Sequence, residues 1–475
     1  MVNELALAAG CQAGPMDASV SARQGSFTLR GTCGRVLLVA ALVAGADVSR
    51  AAAQACDAAP VLVRNTNVWT RDSIVAGQDV LFRSGRLAVI EPANSHRYPR
   101  VRTIDGAGHT LLPGLVDSHL HLSIPGGVPA DKPPTYAEEI AGRQLLRSGV
   151  TSGRLHLATV DEAVRLKARS ADACAPMPRL QVGGPGLSGA ADKDVGNFQG
   201  AKSPDDARTK MARVREAGLD WVAVHDAERF PADVLTAIAA AARQAGIRLM
   251  ASGGTPREIT AALSIGPDTL DYIDRTAEPL YAAPILDLIR GRTDLVLVPT
   301  LGVPYRTGEY LRQPADLERA DNYEFLDAAG RAFVAANAVK ALAGADATRV
   351  QRTLSLLPGK FQQLRQLGLP MALGSDAGSP LHFQAGAIWW ELEAWRALGA
   401  SHRDALIAAT ENGARVLRDD SVGRLRAGGR ADFVLYRGNV EEGPFALARV
   451  LAVGKSGVLY VTDGQWIAPK DGSRN

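Results

Sequence analysis

Cysteine is scarce in this chain: four among 475 residues. None stands in a Cys-x-x-Cys pair or a Cys/His cluster, which argues against a structural zinc site. Aromatics make up only 5%, and charge is close to balanced, with 53 Lys and Arg against 50 Asp and Glu for a net of +3. No Lys/Arg block is present, so nothing points to nucleic acid as the partner. Apolar residues at 46% and charged residues at 22% exclude a disordered or membrane-embedded body. What the chain has is length, an abundance of Ala and Gly, and short apolar runs. Together these suit a large barrel or two to three domains with a substantial core.

The first 35 residues are polar and irregular, and Arg30 and Arg35 precede the apolar run Val36–Val43. The small-residue tract Ala51-Ala52-Ala53-Gln54-Ala55 follows. A positive flank, a short apolar run and an A-x-A-like exit read as a secretory signal within residues 1–55, too short to span a bilayer stably. A retained leader helix is the alternative reading. Met16 as the true start would account for the polar stretch, and Cys56 raises a lipoprotein reading against a poor lipobox. The expected location is periplasmic or secreted, with no integral span after signal removal. Cys11 and Cys33 would leave with the signal. Cys56 and Cys174 would remain, able to form one disulfide in an oxidising compartment.

From about residue 60 to 110 short alternating strands and turns predict a small β-module, and a similar pattern returns around 431–461. The two flanks are expected to pair into one β-sandwich, its parts over 56–113 and 422–475. Between them, over 114–421, eight apolar runs alternate with amphipathic stretches, the signature of parallel β/α units. The runs begin near Gly114, Thr151, Arg179, Trp221, Arg248, Thr269, Leu295 and Pro370. Helix signals separate them, such as Ser203-Pro204-Asp205-Asp206 opening and Ala217-Gly218 closing one. The expected fold is α/β: a (β/α)8 TIM barrel, whose chemistry sits at the C-terminal ends of its strands.

The first barrel strand ends in Asp117-Ser118-His119-Leu120-His121. Side chains alternate along a strand, so His119 and His121 point the same way and can reach one metal ion at the barrel lip. The eighth ends in Gly374-Ser375-Asp376-Ala377-Gly378, where Asp376 is placed to ligate a metal or to take a proton from water. An Asp before Ala-Gly also reads as a simple turn or helix cap.

These motifs, with Leu112-Pro113-Gly114-Leu115-Val116, Gly149-Val150-Thr151-Ser152, Val298-Pro299-Thr300-Leu301, Ala408–Ala414 and Val422–Phe433, resemble the amidohydrolase superfamily in its imidazolonepropionase-like, prolidase-type branch. The resemblance runs from about residue 60 to the end. It implies a TIM barrel with a split β-sandwich and one or two divalent metals that activate water for hydrolysis of an amide, cyclic amide or lactone-type bond in a small molecule.

The metal site departs from that pattern. Typical members place a carboxylated lysine or a carboxylate on the fourth strand and histidines at the ends of the fifth and sixth; this chain has Ala223, Ser252 and Tyr272 there. No histidine lies between Asp226 and Leu381. The reading is therefore a mononuclear site, with Zn2+ as the expected ion, on His119, His121 and Asp376. His225 is the substitute ligand or a catalytic group, since it lies two residues beyond Ala223 on the same face. Arg154 could fork onto a substrate carboxylate or pair with a barrel acid. His156 and Tyr272 are further substrate-pocket candidates, Tyr272 as a donor to an oxyanion or as filler for the lost histidine's volume. His382 is expected at the rim. Two alternatives stay open: a non-catalytic binding protein on the same fold, and a metal-independent lyase, isomerase or cyclase using His225 and Asp376 as acid and base. A homo-oligomer is compatible with the sequence.

Overall fold

The computed structural model describes residues 59–467 other than Leu157, 192–196 and 274–277. The leader of residues 1–55 and Cys56 lie outside them. The first strands are β1 (Val61–Trp69), β2 (Ile74–Arg83), β3 (Arg86–Pro92), β4 (Arg102–Asp105) and β5 (Thr110–Pro113). The central strands are β6 (Leu115–Leu120), β7 (Val150–Leu155), β8 (Arg179–Val182), β9 (Gly186–Ser188), β10 (Phe198–Gln199), β11 (Trp221–His225), β12 (Arg248–Ser252), β13 (Thr269–Asp271) and β14 (Val296–Val298). The chain closes with β15 (Phe433–Tyr436), β16 (Val450–Lys455), β17 (Val458–Thr462) and β18 (Gln465–Trp466).

Both chain ends meet in one nine-stranded sheet, ordered β18-β17-β16-β15-β5-β1-β2-β3, with β4 paired to β1 beside this path. Its junction is the antiparallel pair of β15 with β5, Phe433 opposite Pro113 and Tyr436 opposite Thr110. The sheet is not flat. Phe82 on β2 and Phe433 on β15 are three strands apart, roughly 14 Å in a flat sheet, yet their rings stack with centroids 4.5 Å apart. Register shifts in β1, between Val63 and Thr66 and between Thr66 and Val68, supply the bend. The coiled sheet encloses its own core of Val61, Val80, Phe82, Leu111, Phe433 and Leu459. The expected pairing of the two flanks is thus present, as one continuous sheet.

The central strands form two parallel sheets, β6-β7-β8 and β10-β9-β11-β12-β13-β14. β6 and β7 are buried along their whole lengths, as parallel strands covered on both faces must be. Seven of the eight expected runs are regular strands. The eighth is not: after Pro370 the segment to Ala377 makes only bridges. Ala372 N donates to Leu297 O at 2.8 Å, while Ser118 N donates to Leu373 O at 2.9 Å and His121 N to Ala377 O at 2.8 Å. Its peptide groups are therefore divided between β14 and β6, and a parallel bridge of Gly183 to Trp221 links β8 with β11.

The helix signals hold. Ser203 caps helix Pro204–Glu216 through Asp206 N, and Gly246 ends helix Ala232–Ala245 in the left-handed region at φ 67°. No helix among the described residues is long and apolar enough to cross a membrane. Trp389 and Trp395 on helix Ala387–Ala397 are buried packing residues.

Replacing Phe433 by Ala removes one half of the buried stack that closes the coiled sheet. The expected loss is about 3–5 kcal/mol, seen as a lower unfolding temperature. A shift no larger than that of an exposed substitution would show that the stack does not hold the sheet closed.

Candidate functional site

Alternation along β6 turns Asp117, His119 and His121 toward one face, and the bridging segment brings Asp376 against them. His121 Nε2 lies 3.1 Å from Asp376 Oδ1, and His119 Nε2 lies 3.7 Å from the same oxygen. One ligand atom from each of His119, His121 and Asp376 falls within 4.8 Å of the others. Two imidazoles and a carboxylate converging on one point are a donor set for a divalent ion with positions left open. Gly374 permits the convergence: a Cβ there would stand 2.6 Å from Val298 Cγ1 and 2.7 Å from His119 Cβ.

His119 is fully buried, and its Nδ1 meets Asp271 Oδ2 at 2.6 Å. A carboxylate can only accept, so Nδ1 carries the proton and Nε2 is left facing the centre. Asp271, at the end of β13, also takes Arg154 Nη2 at 2.5 Å and the Thr269 hydroxyl at 2.7 Å. Burial pushes its carboxyl up, but Arg154 and His119 outweigh that and hold it below its ordinary value. Arg154 is only 3% exposed and also donates to Ser118 O and Thr269 Oγ1, each at 2.7 Å. Of the two readings for Arg154, the structure shows the pairing with an internal acid. The guanidinium is enclosed, and its Nε, Nη1 and Nη2 each donate to one of these internal partners.

His156 is likewise interior. Its ring stacks on His119 with centroids 4.2 Å apart and on Trp221 at 5.3 Å, and its Nε2 lies 3.1 Å from His225 Nε2. Burial and the neighbouring histidines push its pKa well down, so the ring is neutral. His225 does point the same way as Ala223, but it faces His156 and is not part of the group of converging ligand atoms. Tyr272 Oη lies 3.2 Å from His119 Nε2, which places the phenol at the centre. His382 is not at the rim. It is 1% exposed, and burial pushes its pKa down to about 4.

Asp376 accepts from Ser379 Oγ at 2.8 Å. Burial pushes its carboxyl up, while the hydrogen bond and charge of His121 and the charge of His119 bring it down to about 2. Asp117 fixes the frame around it, taking Ser375 N at 2.9 Å and Ser375 Oγ at 2.6 Å. The backbone at the strand ends is strained: Asp226, Tyr272, Thr300 and Asp376 have φ of 49°, 71°, 52° and 56°. Thr300 is β-branched and so is the costliest of the four in the left-handed region.

Glu391, which the sequence reading did not single out, is fully buried and accepts from Leu301 N and Trp395 Nε1 at 3.0 Å each and from Gly302 N. Burial pushes its carboxyl up to about 8 against the pull of those donors. Glu258 was also missed. It accepts from Ser252 Oγ, from Asp226 N at 2.9 Å and from Gly254 N at 2.9 Å, tying the ends of β11 and β12 together.

Two cavities flank the centre and share Tyr272 as a wall. One, of about 520 Å³, is lined by His225, Asp226, Phe198, Ser188, Ser252 and Glu258 among others. The other, of about 540 Å³, reaches Asp376 and has mixed walls, with Pro299, Val303 and Leu357 beside the charged Asp346 and Arg349.

The model of the amidohydrolase family matches residues 110–462. An imidazolonepropionase of Anaeromyxobacter sp. (strain K) is 29% identical over 349 residues, covering 70% of this chain and 77% of that protein. An imidazolonepropionase of Salinispora arenicola is 28% identical over 375 residues, covering 75% and 84%. Among solved structures, a Xaa-Pro dipeptidase with bound methionine in its active site aligns with TM-score 0.64 at 18% identity, over 85% of this chain and all of that one (100%). Molinate hydrolase aligns with TM-score 0.65 at 15% identity, over 84% and 94%. At these identities the structural likeness concerns the fold alone.

Two outcomes follow from the buried acids. Asp271→Asn strands the Arg154 charge, with an expected loss of about 3–5 kcal/mol on denaturant unfolding; a loss near zero would remove Asp271 from its central place. For Glu391 the folded pKa is raised above the unfolded one, so its contribution is full below the ordinary value of 4.5 and is lost as pH rises toward about 8. The unfolding temperature of the wild type should therefore fall relative to Glu391→Gln between about pH 5 and pH 8. Parallel curves would contradict the assignment.

Proposed function

We propose that this chain, which belongs to the amidohydrolase family, hydrolyses an amide, cyclic amide or lactone-type bond of a small molecule at a mononuclear centre of His119, His121 and Asp376. The observation that carries the reading is the convergence of those three side chains within 4.8 Å, with His119 held in its tautomer by Asp271. A divalent ion on these three residues, Zn2+ being the expected one, would supply Lewis acidity and lower the pKa of water.

The chain's own groups do the rest. Asp376, in the wall of the cavity of about 540 Å³, takes the proton of the attacking water on a carboxylate oxygen as the oxygen adds to the carbonyl carbon. It returns that proton to the leaving nitrogen or oxygen as the bond breaks. Tyr272 Oη, 3.2 Å from His119 Nε2, is positioned to donate to the oxygen on which charge develops. His225 faces the second cavity and is assigned to substrate there. The imidazolonepropionase relatives support a cyclic amide among the candidate bonds.

The ring of hydrogen bonds from β6 through β14 and the bridging segment back to β6 supports a closed (β/α)8 barrel over 114–421, with the coiled sheet of 56–113 and 422–475 as the split β-sandwich. Export is part of the same proposal. Its support is the signal pattern and the disulfide on Cys174, whose partner lies outside the described residues. Cys56 is the partner we propose.

Metal analysis of native, untagged protein tests the centre. About one ion per chain is expected, lost in His121→Ala and on chelation, with hydrolysis lost in parallel. Protein without an ion that still turns over would transfer the chemistry to Asp376 and His225 as acid and base. Turnover of the His119→Ala, His121→Ala double variant would do the same.

A further inference from the structure

The cavity beside β11 and β12 has a chemical character of its own. Its described walls carry two carboxylates, Asp226 and Glu258, and no lysine or arginine. Glu258 is fixed by three donors. Asp226 gives one oxygen, Oδ2, to Ser188 Oγ at 2.7 Å and is half-buried at the cavity edge. Its backbone is left-handed, at φ 49°, so the turn after β11 swings this carboxylate to the edge and off the strand line. Aromatic faces stand beside it: Phe198 meets the His225 ring edge-on at 5.3 Å, and Tyr272 closes the wall toward His119. Arg154 is the buried cation nearest the converging histidines, and its guanidinium is committed to Asp271, Ser118 and Thr269.

A partly desolvated carboxylate rim with aromatic walls attracts an organic cation and repels an anion. We propose that this cavity is the specificity subsite and that it receives an ammonium or guanidinium group of the substrate. Asp226 accepts its N–H bonds, Glu258 adds charge behind it, and Phe198 and Tyr272 pack its apolar stem. This rests on the hydrolytic reading of the neighbouring centre and narrows the substrate to one with a cationic arm on one side of the scissile bond.

Calorimetric titration of the full chain with phenethylamine, phenethyl alcohol and phenylacetate tests it without turnover. The amine should bind about tenfold more tightly than the alcohol, and phenylacetate weakest. Asp226→Asn should remove that tenfold preference, whereas Ser188→Ala, which keeps the charge, should retain it. Equal or tighter binding of phenylacetate, no binding of the amine, or an unchanged preference in a folded Asp226→Asn overturns the proposal. The titration repeated on His121→Ala separates the two readings. Amine binding there is expected to persist even where the ion is lost, while a preference that vanishes with the ion would assign the amine to the centre and overturn the subsite.

Discussion

The Asp271 carboxylate is the interaction on which the rest of the site depends. It sits fully buried at the end of β13 and joins three elements at once: Arg154 from β7, His119 from β6 and Thr269 from its own strand. A single unpaired charge at that depth would be costly, and so would either partner alone. The three together are mutually satisfying, since an anion faces a cation and two neutral donors. The consequence for chemistry is local. With Nδ1 occupied, His119 presents Nε2 to His121, Asp376 and Tyr272, and its ring is clamped by His156 behind it.

Around that hub the frame is built from carboxylates bonded to backbone N–H groups. Asp117 holds the turn of Ser375 against β6, Glu258 holds the end of β11 against that of β12, and Glu391 holds the start of helix Gly302–Arg312. Strand ends in parallel sheets leave peptide groups without ladder partners, and acids placed there satisfy them. The same clamps stabilise left-handed residues such as Thr300, which would not stand without support from surrounding contacts.

Much of this was legible in the chain. The strand–helix alternation located seven of the eight inner strands, because parallel strands buried on both faces must be apolar runs. The eighth run was legible as sequence and yet not a regular strand, since Pro370 and the diversion to His119 split its hydrogen bonds between two neighbours. The period of two placed His119, His121 and His225 on their shared faces correctly. What it could not show was which of those side chains meet. His225 turns to His156 because Trp221 and His119 sandwich His156 in between. Asp271 and Glu391 were invisible for a different reason: a lone acid in an apolar context carries no spacing signal, and its meaning lies in partners far along the chain. His382 failed in the opposite sense, since a histidine six residues past Asp376 looks like rim, whereas the tight turn after Asp376 folds it inward.

The substitutions at the ends of β12 and β13 make physical sense as a set. Ser252 and Tyr272 stand where the resemblance would put imidazoles, and each has been given other work. The Ser252 hydroxyl is bonded to Glu258, and the Tyr272 phenol meets His119 Nε2. Both residues line the cavity of about 520 Å³ that His225 also faces. It is bordered by carboxylates with no described lysine or arginine against them, so its electrostatic demand falls on whatever enters. Ser252 and Tyr272 thus stand between the three converging ligands and the acidic chamber beside them. A site that gave up ligands by drift would have no reason to keep His119 oriented, and here the orientation is enforced from behind by a fully buried carboxylate.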